Sequence, residues 1–145
     1  MKRLALVATM LVIGGSFAIA QQDPIQQRQA LMKENGKQAQ QGNKFMKGEE
    51  AFDLAKAKAI FATYQKVSHD VANLWPDNSK TGHDTAALPA VWEKKADFDA
   101  RLKKLGDDAK AAEAKVTDEA SFKTVFPEVQ KNCGGCHEPF RKKKT

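Results

Sequence analysis

Beyond residue 22 the apolar positions recur at intervals of three and four, the signature of helices that bury one face, and strand-like alternation is almost absent. Asp23-Pro24 offers an N-cap followed by proline at the first helical position, and Gly42-Asn43 offers a stop. Together they predict a first helix over 24–41 with Ile25, Arg28, Leu31 and Met32 on one face. Gly36 weakens its second half. Asp53 caps a second helix predicted to reach Trp75, where Pro76 ends it, with Ala55, Ala59, Ile60 or Phe61, Val67, Val71 and Leu74 as the buried stripe. A polar loop over 76–87 precedes a third helix opening at Leu88-Pro89, whose apolar side is Val91, Phe98, Leu102, Leu105, Ala109, Ala112 and Val116. Thr117 or Asp118 caps the fourth, whose face carries Phe122, Phe126, Val129, Cys133, Cys136 and Phe140, and Pro127 is expected to bend or restart it. The pattern predicts an all-α, antiparallel four-helix bundle with no internal repeat.

The first 20 residues read differently. Lys2 and Arg3 precede a short apolar run over 4–13, and Ala18-Ile19-Ala20 forms a small-residue cleavage site, so residues 1–20 are expected to be a secretory signal. The run is shorter than the ~20 residues that span a bilayer. The expectation is therefore an exported, soluble protein without a membrane anchor, in an oxidising compartment such as a bacterial periplasm, with one domain over 21–145. The full chain has 24 Lys+Arg against 18 Asp+Glu and a formal charge of +6, of which Lys2 and Arg3 leave with the signal. Its basic residues are dispersed and lack interleaved aromatics, which argues against nucleic acid. The exception is Arg141-Lys142-Lys143-Lys144, either a favourable positive end for the last helix or a docking patch for an acidic partner.

The chemistry lies in Cys133-Gly134-Gly135-Cys136-His137. A Cys-x-x-Cys-His run lets two thiols add across the vinyl groups of haem while the adjoining imidazole takes the iron. On a helix, Cys133 lies one turn from both Cys136 and His137, so all three project from one face. The two glycines leave room for close approach of the macrocycle. The rival readings are a Cys133–Cys136 disulfide, a thioredoxin-like redox pair or half of a zinc site. The latter two need a βαβ context or two further ligands, and neither is visible. His69 and His83 read as a helix-surface and a loop residue.

With these pieces in place the sequence resembles the cytochrome c prime family, the class II c-type cytochromes. The resemblance is carried by Arg28-Gln29-Ala30-Leu31-Met32-Lys33, Lys47-Gly48 with Phe52-Asp53, Leu88-Pro89 with Val91-Trp92, and Cys133-x-x-Cys136-His137-x-x-Phe140-Arg141 near the C-terminus. It implies one covalent haem c on the last helix of the bundle, with Cys133 and Cys136 as attachment points and His137 as proximal iron ligand. It also implies Phe140 and Arg141 beside the proximal side and Arg28 near the haem propionates. By its residues alone Arg28 reads as an exposed helix arginine, and Met32 as a flexible core filler or a ligand. The neighbourhood of Met32, from Leu31 to Gly36, looks like the low-spin branch, in which a first-helix methionine sulfur is the sixth ligand and the protein carries electrons without being an enzyme. High-spin members leave that position open and bind nitric oxide or carbon monoxide, which is the alternative function. Met46 is a weaker ligand candidate. Redox partner proteins are the implied partners, and homodimers through the first two helices are common in the family.

Overall fold

The computed structural model describes residues 23–143, so the segment 1–20 expected to be an export signal, Gln21 and Lys144 lie outside it. Among the described residues five α-helices follow in order: α1 (Pro24–Lys47), α2 (Leu54–Ala72), the single turn α3 (Ala90–Glu93), α4 (Lys95–Lys115) and α5 (Glu119–Phe140). The four long ones form the expected antiparallel bundle, with α2 against α1 and α4, and α4 against α5. Among the described residues no helix is long and apolar enough to cross a membrane.

The helix starts follow the sequence closely. Asp23 Oδ1 accepts from the backbone N–H groups of Ile25 at 2.7 Å and Gln26 at 3.2 Å, with Pro24 just inside α1. Asp53 Oδ1 accepts from Lys56 N at 2.9 Å. Of the two candidates for the last cap, Asp118 takes the role in a reciprocal box with Ser121. Its carboxylate accepts from Ser121 N at 2.8 Å, and Ser121 Oγ accepts from Asp118 N at 3.0 Å.

The helix ends depart from the expectation in four places. α1 runs through Gly42 to Lys47 and stops at Gly48, whose left-handed φ of 70° suits glycine. Gly42 is instead a contact point, because a Cβ there would collide with the ring of Phe126. α2 ends at Ala72, before Trp75, since a residue preceding proline is turned away from helical angles. The expected third helix is broken at Lys94 (φ −119°, ψ 44°), which separates α3 from α4. α5 continues through Pro127 and Pro139 without a restart. Within α2, Ala55 and Ala59 are exposed, and the buried stripe is Ala57, Ile60, Phe61, Tyr64, Val67, Ser68 and Val71.

The core has two parts. One end is aromatic: Phe45, Phe61, Tyr64, Phe122 and Phe126 are buried with Ile60, Leu105 and Ala109, and the Phe122 and Phe126 rings stack at 4.9 Å. The other end is built from Val71, Val91, Phe98, Leu102 and Phe140, with Leu31, Met32, Trp75, Trp92 and Cys136 packed against them. The cysteine motif belongs to this second end. Here the loop before α3 is fastened to the chain's C-terminus by Leu88 N donating to Phe140 O at 2.9 Å and Lys142 N to Ala86 O at 2.8 Å.

Candidate functional site

The last turns of α5 present Cys133, Cys136 and His137, all half-buried. Both thiols are unpaired. Burial pushes the Cys133 thiol above its ordinary pKa, and it does the same at Cys136 against the opposing charge of Arg101. Burial and then the charge of Arg141 push the His137 imidazole down. Near neutral pH the site therefore offers two protonated thiols and a neutral imidazole with a lone pair. A Cβ at Gly134 would meet nothing within 4 Å, whereas Gly135 is held by Arg101 Nη1 donating to its carbonyl at 2.7 Å.

Two cavities meet at this face. One of about 170 Å³ is lined by Ile25, Arg28, Trp75, Val91 and Phe98 among others, and one of about 240 Å³ by Asn35, Gly36, Leu105, Gln130 and Cys133 among others. Met32, Leu102, Cys136, His137 and Arg141 line both. Phe140 is buried below, edge-on to Phe98 at 5.2 Å, and borders the smaller cavity. A larger groove of about 650 Å³ between α4 and α5 reaches Cys136 from outside and is rimmed by Arg101, Lys104, Lys115 and Lys131.

Arg28 is not the exposed arginine its residue type suggests: it is 4% exposed. Its Nη1 donates to Leu74 O at 2.6 Å and Ser79 Oγ at 2.7 Å, and its Nη2 to Ser79 O at 2.9 Å. The guanidinium stacks 4.2 Å from the centroid of Trp75. Burial draws its pKa below the ordinary value while Asp23 opposes the shift. It thus fastens the α2–α3 loop to α1 and borders the smaller cavity as a cation.

The remaining candidates lie elsewhere. Met46 packs against the aromatic end of the core, His69 is on the surface, and His83 sits in the loop with its carbonyl accepting from Gln29 Nε2 at 2.8 Å. Arg141, by contrast, lines both cavities, and with Lys142 and Lys143 it is exposed where the chain after α5 meets the loop. The sequence reading missed Asn35, Trp75, Ser79 and Arg101. Asn35 follows Met32 by three positions, a spacing that marks a shared face, but a buried asparagine on a predicted apolar face carries no signal of its own. Ser79 and Trp75 come to the site only through the loop's path.

The donor set fits a covalently attached macrocycle: two free thiols and one imidazole on one helix face, apolar walls from three other helices, and a cation at the edge. Among the described residues no group of three or more His, Cys, Asp or Glu side chains gathers to hold a metal ion directly, so the thiols have no partners for a zinc site. The family model for cytochrome c' matches residues 23–141. The chain belongs to the cytochrome c' family. It is 43% identical to cytochrome c' of Rhodopseudomonas palustris over 99% of its own length and 98% of the relative's. It is 31% identical to cytochrome c-556 of the same organism over 99% of each chain. The solved cytochrome c' from R. palustris superposes with a TM-score of 0.83 at 42% identity, covering 86% of this chain and all of that one. This member of the cytochrome c' family is accordingly a c-type cytochrome whose cofactor is one covalently attached haem c.

Proposed function

We propose that this cytochrome is an exported, periplasmic one-electron carrier with haem joined to Cys133 and Cys136 and iron held between His137 and Met32. The observation that carries the reading is that Met32 and His137 line the same two cavities, one from α1 and the other from α5. Bound haem supplies an iron that passes between the ferric and ferrous states. The protein's part is to hold His137 neutral by burial, to present the Met32 sulfur, and to keep bulk water out with Leu102, Phe98 and Phe140. His137 and Met32 would hold the iron through an imidazole nitrogen and a thioether sulfur, a donor pair that would raise its reduction potential. Arg28, pinned by Leu74 and Ser79, suits the acidic edge of the macrocycle, and Arg141 supports the His137 side. Beside the cysteines, Arg101 and the exposed cations at 141–143 would suit an acidic redox partner protein. No substrate is turned over, so the role is not enzymatic.

The test is the optical spectrum of the oxidised protein. A sulfur-to-iron charge-transfer band that Met32→Ala removes, together with carbon monoxide binding only in the mutant, supports the assignment. A native spectrum that is already high-spin overturns it in favour of a second reading, a five-coordinate site for nitric oxide or carbon monoxide. That reading draws support from the higher identity to the relative named cytochrome c' than to the one named cytochrome c-556.

A further inference from the structure

Asn35 is 9% exposed, and its Oδ1 has no hydrogen-bond partner among the described residues. It lines the cavity of about 240 Å³ with Met32, Cys133, Cys136 and His137. Three other polar side chains of that lining have partners, and His137 and Arg141 line it as well. Gln130 donates to Tyr64 Oη at 2.6 Å, Asn132 to Asp108 Oδ2 at 2.8 Å, and Arg101 to Gly135 O at 2.7 Å. The stretch of α1 that meets this cavity is Met32, Asn35, Gly36 and Ala39, so Asn35 is its sole hydrogen-bonding side chain. A buried polar atom without a partner costs about 1–3 kcal/mol, so the unpartnered, solvent-shielded Oδ1 of a residue that lines a cavity marks a place where a polar guest is stabilised once neighbouring side chains give way.

We propose that Asn35 is a specificity-determining residue of this cavity: its carboxamide oxygen accepts a hydrogen bond from a proton-donating ligand, water in the first instance, that takes the sixth position when the Met32 sulfur is away. The thioether has no proton to donate and leaves the oxygen unsatisfied, and carbon monoxide does the same. Water satisfies it. Asn35 thereby biases an opened site toward water and against ligands that lack a proton. The inference rests on the placement of Met32 and His137 as axial ligands.

The test compares Met32→Ala with Met32→Ala/Asn35→Leu in the haem-loaded protein. Ferric coordination is read by resonance Raman and electron paramagnetic resonance, and ferrous carbon monoxide affinity by titration. Expected is a water-bound, six-coordinate ferric iron in the single variant. In the double variant water occupancy falls by about tenfold, the value of one hydrogen bond, while carbon monoxide affinity stays within about twofold. Identical ferric coordination in both, or parallel loss of water and carbon monoxide, overturns the proposal. Asn35→Ala serves in place of Asn35→Leu if the larger side chain does not fold. If the native iron proves five-coordinate, the ligand assignment of Met32 fails on its own. Asn35→Leu is then compared directly with the native chain by the same two readouts, under which the Asn35 proposal stands or falls separately.

Discussion

The ring of Phe126 on α5 occupies the space where a side chain at Gly42 on α1 would lie, so the ring packs directly on the α1 backbone. Gly42→Ala is expected to cost about 1–3 kcal/mol by overpacking, with helix propensity pulling the other way. Phe126→Leu added to it should recover part of the loss. Denaturant midpoints of the native chain and the two variants check this, and a stabilised Gly42→Ala chain would contradict the close packing.

Arg28→Leu leaves the carbonyls of Leu74 and Ser79 without their donors. Charge-assisted hydrogen bonds contribute about 1.5–3 kcal/mol each and are not additive, so a total loss of about 3 kcal/mol is expected. Arg28→Lys keeps the charge but not the fork, and it should fall between. Thermal unfolding of both variants is the measurement, and wild-type stability in Arg28→Leu would show that the loop is held by other means.

Asp108 joins α4 to α5, accepting from Lys104 and from Asn132 Nδ2 at 2.8 Å, and these bonds hold its pKa below the ordinary carboxylate range. A lowered folded pKa means that its stabilising effect is full above the unfolded value of 3.8 and is lost as pH falls through the folded one. The carboxylate is partly solvated, so the effect is less than about 1 kcal/mol. The stability difference between wild type and Asp108→Asn should therefore be present at pH 5 and shrink below pH 3. A difference that is constant across that range argues against the assignment.

Most of the bundle was legible because capping and periodicity are local. Asp23, Asp53 and Asp118 start their helices through bonds to residues two or three positions away. The misreadings came from contacts made across the fold. Gly42 looks like a stop until Phe126 is seen against it, and Arg28 looks exposed until Ser79 and Trp75 are brought over it by the loop. The alanines of α2 misled for a related reason: Ala55 and Ala59 are as apolar as Ala57, but only packing against the neighbouring helices decides which one is buried. The attachment motif was readable because its three residues lie within one turn. Asn35 was not, since its meaning depends on having no partner.

The two ends of the core differ in how much they depend on the cofactor. The aromatic end, from Phe45 to Phe126, closes on itself through ring contacts such as Phe45–Phe122 at 5.8 Å and Phe61–Phe126 at 6.4 Å. The other end borders both cavities that share His137, so Val91, Phe98, Leu102 and Phe140 lose packing partners when nothing fills them. Unfilled volume of this size costs several kcal/mol unless the walls collapse. Removing haem, by Cys133→Ala/Cys136→Ala or by expression without haem attachment, is therefore expected to loosen the molecule unevenly. Hydrogen exchange should stay slow in α2 around Phe61 and in α5 around Phe122 and Phe126. It should accelerate by about tenfold or more in α3, the first turns of α4 and the last turns of α5, as expected where local opening becomes easier by at least 1.4 kcal/mol. Uniform acceleration along the chain would mean that the bundle is one cooperative unit and that haem supports both ends alike.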